Sequence, residues 1–201
     1  MLLHLFQNLT SSKKPIKQLM RFISSVYHYL SIASSLLSPQ SMSVIKGIRI
    51  PMNFYVVLKE PVPLAGMSYP AVRTPWEKIR NADFSSVACL CDSEVSYNPY
   101  PLKVLFSAEL EDLHYGNSPY DPDTLEWLVR KATNVILKEI DAGKGIVVHC
   151  MGGIGRTGTV LGCVLRDLGF QADEVINYLD EINKLRGFRG WPETSQFVYL
   201  V

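Results

Sequence analysis

The stretch VVHCMGGIGRTGTVLG, Val147 to Gly162, decides how this chain folds and which chemistry it carries. It opens on apolar residues and turns abruptly into glycines. Gly153, Gly155 and Gly158 spell G-x-G-x-x-G, the written form of a dinucleotide-binding turn. The same letters set Cys150 six residues before Arg156, at the mouth of a glycine-rich loop. One reading gives a cofactor domain; the other gives a nucleophile held against a phosphate.

Working outward, Gly145 to His149 reads as a short strand, apolar enough to be a central parallel strand covered on both faces. A helix is predicted after it over 157–168, and another from Asp173, with Val175, Ile176, Leu179, Ile182 and Leu185 on one face before Gly187. Upstream, Phe54 to Leu58 reads as a strand that ends in the Pro-rich break Glu60 to Pro63. Thr74-Pro75-Trp76-Glu77 opens a short helix, with Thr74 placed as N-cap and Glu77 closing a capping box. Val87 to Cys91 and Lys103 to Phe106 are two more short strands. A longer helix starts near Asp121-Pro122-Asp123, carries Leu125, Leu128, Val129, Ala132, Val135, Ile136 and Ile140 on one face, and ends at Gly143. Strands alternating with helices predict an α/β fold with a short, mainly parallel central sheet flanked by helices on both faces.

That frame decides against the dinucleotide. Its fingerprint belongs to the first βα turn and needs further βαβ units beyond it. Only 43 residues follow Gly158, and they read as mainly helical. A P-loop nucleotide binder fails more simply, because the lysine of G-x-x-x-x-G-K-[ST] is absent.

Charge divides the chain in two. Residues 1–59 hold seven Lys or Arg and no acidic residue, whereas the remainder holds thirteen basic and nineteen acidic residues. A mildly acidic body does not favour nucleic acid as a partner. Residues 1–50 form a leader with ten serines and the cations Lys13, Lys14, Lys17 and Arg21. Three readings of it compete: an organelle transit peptide, an amphipathic segment in contact with a membrane surface, and a poorly ordered extension. Residues 51–201 are expected to be the folded domain. Cys89, Cys91, Cys150 and Cys163 lack C-x-x-C spacing and are too few for a disulfide scaffold, so a reducing, cytoplasmic setting is expected.

In the nucleophile reading, a loop between a strand end and a helix start turns successive N–H groups inward and adds the helix dipole. Cys150 lies at the floor of that nest, where the same donors favour thiolate over thiol. Arg156 can hold two phosphate oxygens bidentately. Thr157 presents a hydroxyl at the helix start, close to the sulfur, and His149 can orient the loop through hydrogen bonds. Backbone amides and Arg156 supply the positive field, so no metal and no cofactor is implied.

The run His149-Cys150-Met151-Gly152-Gly153-Ile154-Gly155-Arg156-Thr157-Gly158 resembles the H-C-x-x-G-x-x-R-[ST]-G signature of the cysteine-dependent protein tyrosine phosphatases. It is most similar to the compact dual-specificity branch, to bacterial and archaeal members and to the cyclin-dependent-kinase-inhibitor-type phosphatases. The resemblance covers roughly residues 53–201. It implies hydrolysis of phosphomonoesters in a phosphorylated protein substrate through a phosphocysteine, with Met151 to Arg156 binding the phosphoryl group. It also implies an aspartate general acid on a loop upstream, and Asp112 in Leu110-Glu111-Asp112-Leu113-His114 matches it. Glu111 stands where larger members often have Pro, and Asp121 and Asp123 are rivals better explained as a helix N-cap and a first-turn charge. Cys91 sits where some members carry a cysteine that bridges reversibly to the nucleophile, with buried packing as the competing reading. Gln196 matches the family's water-positioning glutamine, with a surface helix position as the competing reading. Cys163 reads as a small core residue. Arg186 and Arg189 read as a basic rim for an acidic substrate, with isolated surface arginines as the competing reading. A phosphoinositide phosphatase, and a phosphate-binding module without turnover, stay open as alternatives.

Overall fold

Every residue of Gly145–His149 is buried, as an apolar strand covered on both faces must be. This strand, β5, is the middle of five in a sheet whose others are β1 (Tyr55–Leu58), β2 (Leu64–Met67), β3 (Phe84–Cys89) and β4 (Lys103–Ser107). The strand order is β1-β2-β5-β3-β4, antiparallel only between β1 and β2. The computed structural model describes residues 54–113 and 118–192. The leader, the loop residues 114–117 and the segment that holds Gln196 lie outside the described residues.

Among the described residues four helices accompany these strands: α1 (Trp76–Arg80) and α2 (Pro122–Asp141) between strands, and α3 (Gly155–Asp167) and α4 (Ala172–Leu185) after β5. Strand alternation and register sort the sheet's side chains between two layers. Ala65, Val87 and Val147 pair across β2, β5 and β3, and they pack with Trp76, Ile79, Phe84 and Leu102 on the α1 side. Ser86 and Ile146, one residue out of phase, face the other way, where Ser86 Oγ donates to Glu139 of α2 at 2.8 Å. On that side α2 packs against α3, and α3 against α4. The expected sheet with helices on both faces is what forms, and no strand follows Gly158 among the described residues.

The local signals hold for the long helices. Asp121 caps α2, accepting from the Thr124 amide at 3.0 Å and its hydroxyl at 2.7 Å, which keeps the carboxyl below its ordinary range. Gly143 closes the helix at φ +73°. On α4, Val175, Leu179 and Ile182 are buried as predicted. Leu185 is exposed instead, because one more turn carries it past the packed face.

One local reading is corrected, and one strand is added. Thr74 does not cap α1: its hydroxyl donates to the Ala71 carbonyl at 2.8 Å, and the helix begins after Pro75 without a side-chain cap. The segment after the Pro-rich break is β2, a strand paired on both edges.

Candidate functional site

The loop leaves β5 at Cys150 and enters α3 at Gly155. The strands on either side of β5 grip it. Leu90, just past β3, donates its N–H to the His149 carbonyl at 2.9 Å. Tyr69, just past β2, donates to the Met151 carbonyl at 3.0 Å. Gly153 stands at φ +70°, and its Cα faces the Met67–Ser68 peptide so closely that a Cβ would lie 2.5 Å from Met67 backbone atoms. Glycine is therefore required there twice, for conformation and for room. That turn points the Gly153 N–H at the Cys150 sulfur, 3.3 Å away.

The start of α3 is left open for an anion. Its N-cap, Ile154, has no side-chain acceptor, and no acidic residue lies in its first turn. The leading N–H groups of α3 are thus uncapped by the helix's own side chains, at the positive end of its dipole. Cys150, Arg156 and Thr157 are all buried. The Thr157 hydroxyl has no protein partner among the described residues.

Arg156 and Asp112 meet directly. An Arg156 terminal nitrogen donates to Asp112 Oδ2 at 2.5 Å, and the other donates to the Leu110 carbonyl at 3.3 Å. Arg156 is 8% exposed and Asp112 36%, so the pair spans from the loop's interior to solvent. Asp112 is held beside the loop from the segment after β4. Asp121 and Asp123 stay at the start of α2, as helix cap and first-turn charge. Glu111 accepts from the Tyr120 amide at 2.9 and 3.0 Å, fastening the far end of the same loop.

His149 is wholly buried beneath the loop. Its Nδ1 lies 3.4 Å from the Cys150 carbonyl, and its Nε2 lies 2.5 Å from the Tyr97 hydroxyl. A carbonyl only accepts, so the proton belongs on Nδ1 and Tyr97 donates to Nε2. Tyr97, held by stacking on Trp76, keeps that proton, because burial pushes its phenol up. The sequence gives no local signal for Tyr97, which lies in an irregular segment 52 residues before its partner.

A second brace also escapes the sequence. Tyr55 crosses over Gly66, whose missing side chain makes room for the ring, and its hydroxyl donates to the Gly153 carbonyl at 3.0 Å. Arg186 lies 3.8 Å from the Tyr55 ring centroid, donates to Asn183 Oδ1 at 2.6 Å, and reaches the same carbonyl at 3.4 Å. Burial lowers the guanidinium's affinity for its proton and raises the Tyr55 phenol. Arg186 is thus a brace behind the loop and not the rim residue the sequence suggests; Arg189 remains exposed.

Cys91 lies just beyond β3, bridged to Glu109, within electrostatic range of Cys150 and Arg156. The structure adds Cys89 to the same neighbourhood. The hydrogen bond from Cys91 pulls the Cys89 thiol below its ordinary range, with His149 assisting, and the same bond together with burial pushes Cys91 up. Cys163 is set apart on α3, half-buried at the edge of the core and not within it as the sequence suggests, and desolvation there pushes its thiol up to about 12. Gln196 is outside the described residues.

Among known proteins, a family model described as "Polymorphic toxin system, DSP-PTPase phosphatase" matches residues 65–169. No curated protein matches the chain in sequence. Among solved structures, the core catalytic domain of the PP-IP phosphatase SIW14 from S. cerevisiae is similar at 18% identity. That likeness covers 76% of this chain and 87% of the other, with a TM-score of 0.53. Kinase associated phosphatase, with its catalytic-site cysteine replaced by serine, is similar at 14% identity, over 76% of this chain and 94% of the other, with a TM-score of 0.53. At these identities the likeness is one of fold.

Proposed function

The chain belongs to the polymorphic toxin system DSP-PTPase phosphatase family, a group of cysteine-dependent enzymes that hydrolyse phosphate monoesters, and from that premise we propose that it dephosphorylates phosphotyrosine in proteins. Phosphoserine and phosphothreonine are secondary substrates in this reading. The observation that carries the substrate class is the loop's own chemistry. Met151, Gly152 and Ile154 bring no cation, Met151 is 58% exposed, and Arg186 is turned away to brace Gly153. A substrate with several phosphates needs several cations at the mouth. A single phosphate on an aromatic ring needs Arg156, the backbone amides and an apolar lip.

In this reading the Cys150 thiolate attacks phosphorus, and the bond from phosphorus to the ester oxygen breaks. Asp112 hands its proton to that oxygen, a step worth about 10²–10⁴-fold in rate. Arg156 and the N–H groups of residues 151–156 hold the three phosphoryl oxygens. In the second step water attacks phosphorus, Asp112 takes the proton, and the S–P bond breaks as Thr157 donates to the departing sulfur. The Arg156–Asp112 pair suits this exchange: an incoming phosphoryl group takes over Arg156 and releases the carboxyl toward the leaving oxygen. The folded domain is assigned to residues 51–201, and a cytoplasmic setting accompanies its thiol chemistry.

The test is rapid-quench trapping with a radiolabelled phosphotyrosine peptide, run beside inositol polyphosphate and phosphothreonine substrates. One phosphate bound per chain through sulfur is expected, absent in Cys150→Ser, with the tyrosine peptide turned over fastest. Turnover retained in Cys150→Ser would remove the mechanism. Faster hydrolysis of the inositol polyphosphate would remove the substrate assignment.

A further inference from the structure

Strand register brings three soft donors together beneath the loop. Cys89 of β3 pairs directly with His149 of β5 in the parallel ladder, so their side chains stand on one face of the sheet. Cys91, two residues after Cys89, returns to that face. The two sulfurs and a ring nitrogen of His149 all lie within 4.8 Å of one another, and all three residues are buried.

The geometry points to a binding site for a zinc-class thiophilic cation, formed by Cys89, Cys91 and His149 behind the nucleophile, whose occupation switches the phosphatase off. The ligand set is Cys₂His, which leaves one tetrahedral position open. Zinc–sulfur bonds of about 2.3 Å and zinc–nitrogen bonds of about 2.0–2.1 Å place tetrahedral donors roughly 3.6–3.8 Å apart. The donors present are within about 1 Å of that arrangement, a distance that side-chain torsions cover without moving a strand. The C-x-C spacing hides the site from a search for C-x-x-C, because its third donor lies 58 residues beyond Cys91 and arrives only through the ladder. Capture is an exchange without redox change: the cation bonds two thiolates and a neutral imidazole, and the thiol protons pass to solvent.

Inhibition follows from position. His149 directly precedes Cys150 and is held by Tyr97 at 2.5 Å and, more weakly, by the Cys150 carbonyl. Turning its ring toward the two sulfurs breaks one of these two hydrogen bonds, which frees the base of the loop to shift, and a misplacement of about 1 Å at such a site costs on the order of 10²-fold in turnover. Cys91 also lies within electrostatic range of Cys150 and Arg156, so the bound cation alters the field at the nucleophile.

The regulatory half of the inference rests on the proposed phosphatase reading; the binding half does not, and the experiment separates them. Zinc is titrated into the full chain while p-nitrophenyl phosphate turnover is followed, and cobalt(II) is titrated in parallel while thiolate-to-metal absorption is recorded. Expected are a fall of about 10²-fold in turnover that saturates at one zinc per chain and is reversed by chelator, and a cobalt–thiolate band that persists in Cys150→Ser. The band should vanish in Cys89→Ser and in Cys91→Ser, each variant's inhibition being normalised to its own metal-free rate. Cys91 is at the sheet's margin, so its variant serves if Cys89→Ser fails to fold. A band lost in Cys150→Ser but kept in the Cys91 variant would put the metal on the nucleophile and overturn the site. A cobalt band that appears without zinc inhibition would overturn the switch and leave the site standing.

Discussion

Replacing Gly153 and Gly152 in turn by alanine separates the loop's geometry from its sequence. Both glycines lie in the phosphate loop, yet only Gly153 has a positive φ, at +70°, and only there would a Cβ strike backbone, at 2.5 Å from Met67 C and O and 2.6 Å from Ser68 N. At Gly152 nothing lies within 4 Å of the added methyl. The left-handed conformation costs a non-glycine residue roughly 1–2 kcal/mol. Ordinary contact begins at 3.4 Å, so residue 153 must retreat by about 0.9 Å from the end of β2. That movement stretches the 3.0 Å bond from Tyr55 to the Gly153 carbonyl beyond hydrogen-bond range, at about 1 kcal/mol more. The expected destabilisation of about 2–3 kcal/mol corresponds to a fall in Tm of roughly 5–10 °C for a domain of this size. The same shift carries the Gly153 N–H off the Cys150 sulfur, so kcat/KM on p-nitrophenyl phosphate should drop on the order of 10²-fold. Gly152→Ala should stay within about 0.5 kcal/mol in stability and about threefold in rate. Calorimetry and steady-state kinetics on the two variants settle the matter. Equal damage from both substitutions, or a Gly153→Ala enzyme that matches the parent, would refute the reasoning.

Asp112→Asn should slow a phosphotyrosine peptide, whose leaving group needs a proton, by about 10²–10⁴-fold, and p-nitrophenyl phosphate far less; equal losses on both would end the general-acid assignment. Tyr55→Phe and Arg186→Met remove two supports of one carbonyl, so their effects on chemical unfolding should couple by about 1 kcal/mol in a double-mutant cycle. A sum of the two single effects accurate to about 0.3 kcal/mol would mean that they act apart. Cys163, raised to about 12 by burial, should carry roughly one thiolate in 10⁴ at pH 8 and resist iodoacetamide in the folded chain. Its raised value also makes stability fall as pH climbs from about 9 toward 12, since only the unfolded chain gives up that proton freely. Rapid native-state labelling of Cys163 would contradict the burial that sets both effects.

What could be read from the sequence was whatever a dozen neighbouring residues decide among themselves. The strand–loop–helix unit from Gly145 to Asp167 is such a case: apolar run, glycines, cysteine and arginine are consecutive, and their roles are local. The cap of α2 and the glycine that ends it are local too. Strand β2 is the opposite case. Leu64–Met67 follows two prolines, contains a glycine and has no β-branched residue, so its own propensity says nothing. It is a strand because β1 and β5 each offer it a ladder.

The same distinction explains which parts of the site were hidden. Cys150, Arg156 and Thr157 lie within eight consecutive residues, so their spacing carries the chemistry proposed for them, and Asp112 was reached through the family resemblance together with the order of elements. Tyr97, Tyr55 and Arg186 act over distance in sequence, Tyr97 on the last residue of β5 and the other two on the Gly153 carbonyl, between 33 and 98 residues away. Nothing near Arg186 distinguishes it from the exposed Arg189 three positions later. What separates them is Gly66, which clears a path for Tyr55 and gives Arg186 an aromatic face on which to lie. The Cys89, Cys91 and His149 cluster belongs with these: two cysteines spaced for no familiar motif become a ligand pair only once β3 is laid beside β5 with Cys89 opposite His149. A one-residue slip in that pairing would turn the row to the opposite face and dissolve the site. The loop proposed as catalytic is therefore written in sequence, whereas what steadies it, and what is proposed to stop it, is written in register.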